Sequence, residues 1–230
     1  MMAFTKEHTP AEIVKIYPKA SDLFKNHMID FCCGGDVSLD EQFAKNNVDG
    51  EAILDQLNTD YDVWKKAGNE AKDWDIVPLE ELIDHITYNH HAYLKEELPA
   101  LSEFVTKIYR VHGQDHPHLK DLYRVYHEFK MEMEEHTIKE ENEVFPLIKK
   151  YVKNPSDNLL ERIRQANGGL GEEHDVAGDL LKEMREITNG FQAPTNACGT
   201  YRVTYDRLED LEADTFQHVH LENNVLFERL

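Results

Sequence analysis

Basic residues, long apolar runs and cysteines are all scarce in this sequence, and each scarcity excludes something. There are 25 lysines and arginines against 45 aspartates and glutamates, a net charge of −20. A surface of that sign repels phosphate backbones and anionic lipid, so neither nucleic acid nor membrane is expected as a partner. No stretch approaches the roughly 18 consecutive apolar residues of a spanning helix. Three cysteines, two of them adjacent, are too few for a disulfide framework. Met1–Pro10 lacks a basic segment followed by an apolar one, so no export signal is read and a cytoplasmic location is expected. The 40% hydrophobic fraction is enough for a core, and the acids are spread along the chain, which argues against a disordered acidic protein. Histidine, in contrast, is abundant, with 13 in the chain.

Four long segments carry helical periodicity. The first begins at Pro78, a residue suited to the first helical position. Leu79, Leu82, Ile83, Ile86, Leu94 and Leu98 follow at three- and four-residue spacing, and Gly113 closes the segment. The second runs from about Pro117 to Val152, with a kink expected at Pro146. The third runs from about Ser156 to Thr188, ending at Asn189-Gly190, with a bend expected at Gly168-Gly169-Leu170-Gly171. The fourth starts near Cys198 or Thr200 and reaches the C-terminus. No segment alternates long enough to read as a strand. Helices of about 30 residues, each about 45 Å long, joined by short connections, make an all-α, up-down-up-down four-helix bundle. Ala11–Ile16, Ala20–Phe24 and Glu51–Leu57 show shorter helical patterns. The expected division is therefore a small helical domain over 1–60, a linker over 61–77 and the bundle over 78–230.

Two ten-residue stretches in the bundle match. His136-Thr-Ile-Lys-Glu140-Glu-Asn142-Glu-Val144-Phe145 and His218-Val-His-Leu-Glu222-Asn-Asn224-Val-Leu226-Phe227 both read His-x-x-x-Glu-x-Asn-x-(Val/Leu)-Phe. Positions i and i+4 of a helix share a face, so each stretch aims an imidazole and a carboxylate at one point. His136 and His218 are 82 residues apart, and His91 and His174 are 83 apart. The bundle thus reads as two helix pairs, each giving a lone His and then a His-x-x-x-Glu. One such pair alone is usually a solvated surface pair, but two copies with matched flanks and offsets point to a metal site. His90 lies nearer the middle of the apolar face by simple periodicity, whereas the 83-residue offset favours His91.

Four imidazoles and two carboxylates exceed the needs of one tetrahedral zinc. They suit two first-row metals, with iron, manganese and zinc all compatible. The histidine majority differs from the carboxylate-rich Glu-x-x-His sites of ferritin-like bundles and points to hemerythrin-like ones. Six protein ligands leave positions open for a bridge and a small diatomic ligand such as O2 or NO.

At this point the chain resembles the repair-of-iron-centres family (the ScdA/YtfE type) of hemerythrin-like di-iron proteins, over nearly all of its length. The resemblance rests on Asp30-Phe31-Cys32-Cys33-Gly34-Gly35, Glu97-Leu98-Pro99, His136-Thr-Ile-Lys-Glu140-Glu141, Glu173-His174-Asp175 and His218-Val-His-Leu-Glu222-Asn-Asn-Val-Leu-Phe227. It implies a hemerythrin-like bundle behind a small N-terminal domain. The metal ligands it implies are His91, His136, Glu140, His174, His218 and Glu222, with Glu140 and Glu222 bridging. The implied cofactor is two iron ions with an oxo or hydroxo bridge. It also implies repair of iron–sulfur clusters damaged by nitric oxide or peroxide through supply of iron, with damaged iron–sulfur proteins as partners and a homodimer as a common assembly. The alternative is nitric oxide reduction, or NO or O2 binding, at the same centre. A conventional enzyme is not expected.

Cys32 and Cys33 read by themselves as small residues packing a helix end. The resemblance makes them a redox or iron-transfer pair. Cys198 is expected to be packed at the start of the last helix. His112, His116 and His118 are expected to be solvated, and His85, His127 and His220 to lie at the surface or behind the ligands. Asn142 and Asn224 are placed either one turn from the metals, where such groups orient ligands, or in solvent.

Overall fold

The computed structural model describes residues 4–230 and is all-helical, with no strand among them. The first three residues of the stretch read for a leader lie outside the described residues. Two compact units divide the chain: Leu79–Thr215, and Met1–Pro78 together with Phe216–Leu230.

The larger unit holds the bundle. Its first rod is α5 (Leu79–His85), a π-helical turn (Ile86–His91) and α6 (Ala92–His112), stopped at Gly113. The second is α7 (His118–Lys139), a π-helical turn (Glu140–Val144) and α8 (Phe145–Lys153). Where a kink is expected at Pro146, the structure has this π turn just upstream of the proline. The ring lacks an N–H and crowds the carbonyl four residues back, so the ladder widens before it rather than at it.

The third segment is broken rather than bent. α9 (Asp157–Asn167) and α10 (Leu170–Ile187) are separate helices with Gly168 and Gly169 between them. Two consecutive glycines cost too much backbone entropy to stay in a helix interior. Ser156 caps α9 by accepting from the Leu159 N–H. The last rod begins with α11 (Gly199–Leu221). α7 packs against both α6 and α10. Leu101, Leu122, Tyr126, Phe129 and Leu181 are fully buried, as the three- and four-residue spacing requires. The buried Tyr126 hydroxyl donates to the Leu98 carbonyl over 2.6 Å. Arg207 clamps Glu97 through two hydrogen bonds of 2.6 and 2.7 Å, and Arg185 clamps Glu212 at 2.7 and 2.5 Å. These paired charges fix α11 against α6 and α10 with a geometry a single ammonium could not enforce.

The smaller unit contains α1 (Pro10–Ile16), α2 (Ala20–Asn26), α3 (Leu39–Asn46) and α4 (Gly50–Lys66). Thr9 and Glu12 form a reciprocal capping box at α1. α3 is not anticipated from periodicity, because only Leu39, Gln42 and Phe43 of its eight residues are buried. α4 runs on to Lys66, so the first part of the segment read as a linker is helical. Phe4, Ile13, Phe24, Phe31, Leu39 and Leu57 form the core. Phe31 also meets Phe216 edge-on at 5.9 Å, which joins the last turns of the chain to this unit. Those turns are the end of α11, a π-helical turn (Glu222–Leu226) and a short 3-10 turn.

Candidate metal centre

Within the bundle unit, His91, His136, Glu140 and His174 are all buried, Glu140 with no exposure at all. His91 Nε2 and His136 Nε2 each lie 3.3 Å from the same oxygen, Glu140 Oε2. His174 Nε2 lies 3.0 Å from His136 Nε2. The ligand atoms of His136, Glu140 and His174 fall within 4.8 Å of one another. Phe145 stacks on His91 at 5.5 Å and 16°, holding that ring flat against the helix. The π turn explains why His91 reaches this cluster. Its wider pitch shifts the helical phase, so His91 joins the inner face while His90 turns to Asp214, 2.9 Å away.

The outer nitrogens decide what the inner ones can do. His91 Nδ1 lies 3.0 Å from Glu141 Oε1, and His136 Nδ1 lies 2.8 Å from Glu173 Oε2. An ionised carboxylate only accepts, so each ring carries its proton on Nδ1 and turns the Nε2 lone pair inward. Two lone pairs then face one buried carboxylate oxygen. That arrangement suits a cation, since imidazole with carboxylate is the donor set of a first-row metal. Burial alone would raise the Glu173 carboxyl. Its hydrogen bonds to Lys139, at 2.6 Å, and to His136 outweigh that and hold it below the usual range.

A cleft of about 350 Å³ opens beside His91, lined by Leu94, Lys95, Leu98, Glu134 and Thr137 among others.

Within the smaller unit, His218 and Glu222 are both fully buried, with His218 Nε2 2.9 Å from Glu222 Oε1. Each His-x-x-x-Glu pair therefore has its Glu as the first residue of a π-helical turn. The flanks of the repeat have diverged. Phe145 is buried and Phe227 only half so. Asn142 is exposed and donates back to its own helix at Ile138, whereas Asn224 is buried and donates to the Cys32 carbonyl at 3.0 Å.

Asn223 reaches the same carbonyl at 3.2 Å, and His220 Nδ1 lies 3.2 Å from the Phe31 carbonyl. His220 is thus deeply buried, not superficial. Burial pushes its pKa down to about 4, so the ring is neutral. Cys32 is buried and Cys33 half-buried, their sulfurs 3.5 Å apart. The Cys33 contact and burial push the Cys32 thiol well up.

Two further expectations are corrected. Cys198 is exposed rather than packed, 3.3 Å from His112 Nε2. His112, His116 and His118 are half-buried rather than solvated, because the fully buried Tyr201 draws them in. His118 Nε2 lies 3.1 Å from both the Tyr201 and Tyr205 hydroxyls. Glu141, Glu173 and Asn223 were not anticipated as functional. The only signals for them are their places beside Glu140, His174 and Glu222 in the recurring motifs.

Comparison with known proteins agrees with this chemistry. Residues 82–230 match the hemerythrin HHE cation binding domain, and residues 6–61 match a domain of unknown function, DUF542. The chain is 38% identical to the iron-sulfur cluster repair protein ScdA of Staphylococcus epidermidis, covering 98% of this chain and 99% of that one. It is 37% identical to ScdA of Staphylococcus haemolyticus, covering 98% of each chain. It is 35% identical to the iron-sulfur cluster repair protein YtfE of Escherichia coli O157:H7, covering 95% and 94%. With buried imidazoles turned onto a buried carboxylate and likeness running through both domains, the chain belongs to the hemerythrin-like ScdA/YtfE family.

Proposed function

We propose that this protein repairs iron–sulfur clusters damaged by nitrosative or oxidative stress, by supplying iron from a di-iron centre in the cytoplasm. The observation that carries the metal reading is the convergence of His91 Nε2 and His136 Nε2 on buried Glu140, each ring pinned from behind by a carboxylate. The repair reading comes from relatives of nearly equal length that bear that name. His91, His136, Glu140 and His174 would be joined by His218 and Glu222, with Glu140 and Glu222 as the shared carboxylates. Support for joining them comes from the repeat, whose matched offsets give both halves the same ligand pattern, and from the single family match that spans 82–230. When bound, iron supplies Lewis acidity, redox capacity and the transferable ion itself. The chain's own residues hold it. Glu141 and Glu173 keep two rings in the ligating tautomer, and Phe145 stacks on the His91 ring. Cys32 and Cys33 act as the redox or iron-transfer pair.

The test is whether iron-loaded protein restores activity to a nitric-oxide-damaged cluster enzyme. Restoration is expected, and failure with Cys32 and Cys33 intact counts against the reading. The cleft beside His91 favours a second reading, nitric oxide or O2 binding, or nitric oxide reduction, at the same centre. Nitrous oxide formed by the reduced protein from nitric oxide would establish the reductase form, and its absence would remove it.

A further inference from the structure

We propose that Asp30, Cys32 and Cys33 form a second cation site, for a borderline-soft divalent ion, distinct in chemistry from the imidazole–carboxylate centre. One ligand atom from each of the three lies within 4.8 Å of the others, a spread that one ion can span. The two sulfurs are already 3.5 Å apart, and Cys33 is half-buried, so the site has a dry side and an open one.

The loop that carries these ligands is held in place without regular secondary structure. Asp30 Oδ1 accepts from the Cys32 and Cys33 amides at 3.1 and 3.0 Å, fixing the turn from inside. From outside, Gln42 donates to the Gly34 carbonyl at 2.9 Å, and the Ala11 amide donates to Gly35 at 3.0 Å. Asn223 and Asn224 hold Cys32 as described. Gly35 completes the fold-back, since a Cβ there would come 2.4 Å from the Phe31 carbonyl oxygen. A short polar loop secured at this many points is preorganised, which is what a ligating constellation requires.

Binding is charge-balanced and involves no redox change. The divalent ion displaces one proton from each thiol, two Cys–S–metal bonds form, two protons go to solvent, and the Asp30 carboxylate adds the third ligand. Asn223 and Asn224 tie this loop to the turn that begins at Glu222, so on the proposed iron donation the site would be a neighbouring way station for the ion. This role as a way station rests on the proposed iron donation, whereas the site itself does not.

The experiment uses the full metal-free chain, reduced and anaerobic, titrated with Co(II). Thiolate ligation gives a near-ultraviolet charge-transfer band that nitrogen and oxygen ligands do not, so the bundle's imidazoles and carboxylates are silent, and Cys198→Ser removes its one thiol. The band is expected in the wild type, in Cys198→Ser and in His136→Ala, and its survival in the last separates this site from the di-metal reading. In the Cys198→Ser background it should weaken in Cys32→Ser and in Cys33→Ser, each of which keeps one thiol, and vanish when both are replaced. Asp30→Asn keeps the acceptor for the two amides, and should need at least about tenfold more cobalt, the loss seen even for outer partners of a metal ligand. In the wild type, cobalt should also slow alkylation of Cys32 and Cys33 but not of Cys198, a readout that needs no variant to fold. No band, a band that survives replacement of both Cys32 and Cys33, unprotected cysteines, or unchanged affinity in Asp30→Asn would overturn the proposal.

Discussion

Glu173 shows how much one residue outside the ligand set can control. Its two oxygens divide between His136 Nδ1 and Lys139 Nζ, so it orients a ligand and is itself kept ionised. Glu173→Gln should lower metal affinity by about 10- to 100-fold, read by competition with a chelator, while helical content stays unchanged. At this scale the sequence was legible where chemistry repeats. The two His-x-x-x-Glu pairs are buried on their own helices as their spacing demands. Residues that act through a partner distant in the chain were not legible. Nothing in the pattern around Glu173 says that it faces His136, 37 residues away. Asn142 and Asn224 occupy equivalent places in the repeat yet do different things, because only one meets a loop to hold.

At the scale of elements, the π turns are the main departure from the periodic reading. One follows α5 and ends at His91, and the other two begin at Glu140 and Glu222. A π turn adds a residue to the helical circuit, costs backbone hydrogen-bond geometry, and recurs at functional sites. Simple 3.6-residue counting therefore favours His90 over His91, and the offset between the repeats corrects it. Pro146 follows the second π turn, and its missing N–H and ring disfavour an ordinary helical ladder upstream. Pro146→Ala should let that turn relax toward α geometry, changing stability by less than about 1 kcal/mol, since the proline sits at a helix start where it is tolerated. Metal retention should fall as Glu140 shifts, and dialysis followed by metal analysis would show it.

The link between the cysteine loop and the last turns carries a pH dependence. His220 has its folded pKa lowered to about 4 from 6.5, so the unfolded chain binds the extra proton first as the solution is acidified. Its contribution to stability is complete above 6.5 and is lost as pH falls from there toward 4. Denaturant unfolding across that window should show a steeper loss in wild type than in His220→Gln. Equal slopes would mean that the buried imidazole has no such effect.

At the scale of the whole molecule, the scarcity of basic residues argues against nucleic-acid and lipid partners without identifying one, and the abundance of histidine is the more informative imbalance. Bundle architecture followed from apolar spacing, and Gly168-Gly169 marked the break in the third rod. α3 and the run of α4 to Lys66 escaped the periodic reading, because short helices with few buried residues leave little pattern. The family match names a cation binding domain over 82–230, buried imidazoles and carboxylates lie within it, and the count of ions is the claim that carries the rest. Iron analysis of the full chain loaded with Fe(II) anaerobically and then desalted, with Cys32 and Cys33 blocked, tests that count directly. The account predicts two iron ions per chain, falling to one or none in His136→Ala and in His218→Ala alike, because both repeats feed one centre. One iron per chain in the wild type, or full loading that survives loss of either histidine, would contradict it.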